Sequence, residues 1–84
     1  MSWRVEVKRS AEKELARLSG QARERIVKAL RAMIDDPFPS GLKKLKESDG
    51  YRIRVGQYRV LYRVDSAAHF VWVGAIGHRK DVYR

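Results

Sequence analysis

Residues 51–63 read YRIRVGQYRVLYR, and this run constrains the chain more than any other. Tyr51, Ile53 and Val55 alternate with Arg52 and Arg54. Past Gly56-Gln57, Tyr58, Val60 and Tyr62 alternate with Arg59, Leu61 and Arg63. Alternation with a period of two marks strands that bury one face only, and the short connection around Gly56 predicts a hairpin. The other face of that hairpin then carries four arginines and no carboxylate. A row of guanidiniums on a sheet suits an anion, nucleic-acid phosphate first among them.

Size and charge agree with this reading. Eighty-four residues make a single domain, 1–84, that buries about 60–65% of its unfolded surface. The net charge of +9 calls for a polyanionic partner. It is uneven: residues 1–42 carry nine basic and six acidic side chains, residues 43–84 ten and four. Cysteine is absent, so thiols say nothing of redox compartment. Neither a signal-type apolar segment nor an apolar run near ~18 residues is present, which gives a cytoplasmic protein with no membrane partner as the expectation.

Along the chain, Trp3, Val5 and Val7 alternate with Arg4, Glu6 and Lys8 as a first strand. Ser10 reads as an N-cap, with Ala11, Leu15 and Leu18 on the inner face of a short helix that Gly20 stops. A second helix follows from about Gln21 to Ile34, with Ala22, Ile26, Ala29, Leu30 and Met33 inward. Pro37 ends it, because proline disfavours helical geometry at the preceding residue. Residues 37–50, with both prolines and two glycines, read as a loop that Leu42 and Leu45 pin to the core. After the hairpin, His69 to Ile76 is apolar on both faces, as in a central strand. The expected order is β-α-α-β-β-β: an α+β fold with a helical hairpin on one face of a mostly antiparallel four-stranded sheet.

The chemistry open to such a chain is narrow. Its two histidines, His69 and His78, have no metal-ligand spacing, and no acids pair near the basic strands, so neither a metal nor another cofactor is expected. RNA, however, carries its own nucleophile, the 2′-hydroxyl. An enzyme then needs in-line alignment, proton transfer and stabilisation of a dianionic phosphorane. Arginines on a rigid sheet supply the last of these, and an aromatic at the rim can stack a splayed base.

The succession LKKL, YRIRVGQYRVLYRV, an apolar strand and the terminal GHRKDVYR resembles the RelE/ParE toxin superfamily, and within it the RelE-type mRNA interferases. The resemblance spans essentially the whole chain. It implies the toxin of a type II toxin–antitoxin pair: an endoribonuclease that cuts mRNA in the ribosomal A site and is held off by a RelB-like antitoxin in a hetero-oligomer. The family's paired basic residues on the strand after the loop fall on Arg52 and Arg54. A further arginine on the next strand falls on Arg59, one after the last strand on Arg79, and a C-terminal tyrosine on Tyr83. Lys43, Lys44 and Lys46 would track phosphate beside them.

One departure matters. Relatives often carry lysine where this chain has Arg52 and Arg54, and arginine is a poor proton acceptor. Proton transfer could instead fall to His78, whose residue type titrates near 6.5, to Tyr83 beside guanidiniums, or to ribosomal RNA. Two other readings share the fold: a ParE-like poison of DNA gyrase, and a non-catalytic RNA-binding relative. Arg63 lacks a place in the family pattern and reads as a surface charge or a partner of Asp65. Trp3, Tyr58, Tyr62 and Trp72 read as core aromatics.

Overall fold

The structure, a computed structural model, describes residues 2–45 and 50–78. Its elements run β1 (Arg4–Val7), α1 (Arg9–Arg17), α2 (Gly20–Ala32), β2 (Lys43–Lys44), β3 (Gly50–Val55), β4 (Tyr58–Asp65) and β5 (Phe70–His78). The strands form one sheet in the order β1-β5-β4-β3-β2. β1 pairs with β5 in parallel, and the other neighbours are antiparallel. The expected α+β arrangement is present, with one strand more than the sequence suggested. Within the stretch read as loop, Lys43 pairs with Arg52 and Lys44 with Tyr51. A two-residue strand is too short for any alternation to announce it.

Helix boundaries differ from expectation for local reasons. The Lys8 amide bonds to the Val73 carbonyl at 2.8 Å, so β1's ladder runs up to the helix. α1 starts at Arg9 with Lys8 at the N-cap, and Ser10 lies inside the first turn. Leu18, extended, closes α1. The Ser19 hydroxyl accepts the Ala22 amide at 3.4 Å, so Gly20 opens α2 rather than stopping α1.

Both helices cover one face of the sheet. Ala11, Ile26, Leu30 and Met33 meet Ile53, Val60, Tyr62, Val71, Val73 and Ile76 in a single core. Fully burying each of the larger aliphatics contributes about 1.5–3 kcal/mol. Tyr62 is buried to its hydroxyl, which donates to the Pro37 carbonyl at 2.8 Å, so its polar end is satisfied. Trp3 and Tyr58 pack at the core margin.

β3 and β4 are joined by a two-residue loop, since Val55 pairs with Tyr58. Gly56 takes φ +61°, the first central position of a hairpin turn that needs positive φ there. On β5, Leu61 pairs with Ala75 and Tyr62 with Val73, which leaves Gly74 as an extra residue, a β-bulge. Trp72 is not a core residue: it is 38% exposed, on the face away from the helices. β5 has strand neighbours on both sides, as a central strand should, but the helices cover only one of its faces.

Candidate nucleic-acid interface

The face without helices carries the arginines. Because side chains at paired positions share a face, the register places them directly. Arg54 stands opposite Arg59, and Arg52 lies between Lys43 on one side and Leu61 on the other. Arg63 is opposite Gly50 on β3 and Trp72 on β5. Successive same-face residues along a strand are about 6.6 Å apart, so Arg52, Arg54 and Arg59 form a compact triangle with Lys43 at its edge. Beside Arg59 and Leu61 the β5 positions are Gly77 and Ala75. Both are small and half-buried.

Acids are kept to the margins of this face among the described residues. Glu6 is engaged with Arg4 at 3.0 Å, and the Asp65 carboxylate accepts the Ala68 amide at 3.1 Å in the β4–β5 turn. The suggested Arg63–Asp65 ion pair is not among the salt bridges of the described residues. Arg52 and Arg59 are half-buried, while Arg54 and Arg63 are exposed. A half-buried arginine has its stem fixed by packing, so its position on the face is defined.

The two lysines of β2 part company. Lys43 shares the arginine face through its pairing with Arg52, while Lys44 pairs with Tyr51 on the other face. Lys46, Arg79 and Tyr83 lie outside the described residues.

His78 does not join the arginines. It pairs with Tyr58 and meets that ring edge-on, centroids 5.8 Å apart. Tyr58 packs against the core, so His78 lies on the helix-side face. The Gly74 bulge is the cause: one inserted residue inverts the facing of every position beyond it. His69, at φ +52°, stacks on Trp3 with centroids 4.6 Å apart, a structural contact at the far end of the sheet.

Among the described residues, no three His, Cys, Asp or Glu side chains are grouped to hold a metal ion. No helix among them is long and apolar enough to cross a membrane. What the arginine face can do is bind phosphate oxygens and stabilise negative charge that builds on them.

Comparison with known proteins places this arrangement in a class. Residues 5–83 match the family described as the ParE toxin of type II toxin–antitoxin systems, parDE, and the chain belongs to that family. It is a toxin of the RelE/ParE superfamily. The archaeal RelE of the RelE–RelB complex from Pyrococcus horikoshii is 25% identical, with a TM-score of 0.86, covering 98% of this chain and 100% of that one. The isolated RelE toxin of E. coli is 27% identical, with a TM-score of 0.79 over 98% of this chain and 92% of that one. The YoeB/ParE toxin from Agrobacterium tumefaciens, at 19% identity and a TM-score of 0.77, covers 90% of this chain and 98% of that one and shares the fold. No curated protein matches the chain.

Proposed function

We propose that this toxin is a ribosome-dependent mRNA interferase, an endoribonuclease that cuts mRNA in the A site and so stops translation. The observation that carries the reading is the register of Arg54 against Arg59 with Arg52 beside them. Three arginines share one face of the sheet at a spacing that suits a single phosphodiester and its neighbours.

In this mechanism the mRNA's own 2′-oxygen attacks the adjacent phosphorus. The O2′–P bond forms, the P–O5′ bond breaks, and a 2′,3′-cyclic phosphate remains beside a 5′-hydroxyl end. Arg52, Arg54 and Arg59 offset the charge of the phosphorane, to which donors of this kind contribute roughly 100- to 1,000-fold each. Arg79 completes the cationic set. Tyr83 either takes the 2′-hydroxyl proton as its phenolate and returns it to the departing O5′, or stacks a base while ribosomal RNA moves the proton. Lys43 holds a flanking phosphate. The reaction needs no cofactor, and the proposed site of action is the cytoplasm. The RelE–RelB pairing in the P. horikoshii structure supports a RelB-like antitoxin here, covering the basic face in a hetero-oligomer.

A second reading is favoured by the matched family itself, which is named for ParE: a gyrase poison that cuts no RNA. A non-catalytic RNA-binding relative would show affinity without product ends. Induction in growing cells separates them. The interferase predicts broken mRNA with intact DNA, and gyrase poisoning predicts DNA breaks with intact mRNA.

A further inference from the structure

Trp72 is a large apolar side chain, 38% exposed, on the same face as the arginines, and the interferase chemistry does not use it. It lines an open cleft of about 400 Å³ whose walls include Lys8, Leu45, Leu61, Arg63 and Ala75. That volume lies within the roughly 300–1,000 Å³ typical of small-ligand sites. The bulge borders the cleft. Gly74, itself part of the lining, has no Cβ, and its chain neighbours aside no atom lies within 4 Å of where one would stand, so nothing fills that space beside the indole.

We infer that this cleft is an auxiliary nucleotide subsite, with one base of the RNA stacked on Trp72 and its phosphate held by Arg63 and Lys8. Charge complementarity selects the occupant: of the described residues lining the cleft, the only charged ones are Lys8 and Arg63, both cationic. The nearest acid along the ladder, Glu6, pairs with Trp72 in register but is engaged with Arg4. Arg63 lies four residues beyond Arg59 on the same face of β4, about 13 Å at ~3.3 Å per residue. A single strand anchored by a phosphate at Arg59 and running along β4 therefore reaches Trp72 a few nucleotides away. Stacking on an indole accepts any base, so the subsite would favour purines by stacking area without reading an edge. This deepens the interferase reading and rests on it for its biological role, but RNA binding can be measured apart from cleavage.

The test uses a 2′-O-methyl single-stranded RNA hexanucleotide, which offers no nucleophile, titrated by fluorescence anisotropy in low salt. The subsite predicts that Trp72→Leu weakens binding about tenfold, that Trp72→Phe retains most of it, and that Arg63→Gln lowers the salt slope by about 0.7. Thermal unfolding of each variant checks that the fold is kept. Equal binding by wild type and Trp72→Leu, or no binding by wild type, would overturn the inference. Trp72-dependent binding by a wild type that cuts no ribosome-bound mRNA would keep the subsite and sink the interferase alone.

Discussion

Arg54 and Arg59 face each other directly across the β3–β4 ladder, two like charges at the closest cross-strand position the hairpin offers. Such pairing opposes folding by roughly 0.2–1 kcal/mol. Arg54→Thr should therefore raise Tm by a few degrees, with the gap to wild type shrinking as salt screens the repulsion. The same variant should lose at least about 100-fold in cleavage. A fall in Tm would mean that Arg54 is held by favourable contacts and that the cluster is not a functional compromise.

His78 sits with Tyr58 on the helix side of the sheet. His78→Gln should accordingly leave mRNA cleavage within about threefold of wild type. A rate loss of two orders of magnitude together with a flattened pH profile would make the imidazole a participant in proton transfer.

Tyr62 is buried, and burial, with smaller contributions from Tyr51 and Asp36, pushes its phenol well above the ordinary value of 10.0. The sign follows from linkage. The phenol is raised in the folded state, so its contribution is complete below about pH 10, where the unfolded chain also keeps its proton. Above that the unfolded state releases the proton first and stability falls. Denaturant unfolding of wild type should show a stability decline above pH 10 that Tyr62→Phe reduces. At neutral pH the same variant leaves the Pro37 carbonyl without its donor and should cost about 1 kcal/mol.

Gly56 holds φ +61°. A Cβ there would meet Arg25 Nη1 at 3.5 Å, ordinary contact, so any penalty for alanine comes from the backbone. Gly56→Ala should cost about 1 kcal/mol, lowering Tm by ~4–8 °C. An unchanged Tm would mean that the turn relaxes to another type.

The parts legible in sequence are those where burial imposes a rhythm. β3 and β4 have one covered face, so the alternation of Ile53 and Val60 with the arginines shows through, and the two-residue loop then fixes Arg54 against Arg59. β2 had no rhythm to show, because its pairing with β3 is supplied by neighbours rather than by its own two residues. Trp72 misled because an apolar residue lining a cleft looks the same in sequence as one in a core. The placement of His78 was hidden by the Gly74 bulge. Simple alternation from Val71 and Val73 would put His78 beside the arginines, and one extra residue turns it away. A glycine inside an apolar strand was the available signal.

The most direct test of the central claim is the mapping of mRNA 5′ ends in a reconstituted translation system, with wild type and Arg59→Ala side by side. Our account predicts cuts within the A-site codon, only when ribosomes are present, with 5′-hydroxyl ends, and none from Arg59→Ala even though that variant stays folded. Intact mRNA with wild type, or undiminished cutting by Arg59→Ala, would contradict it.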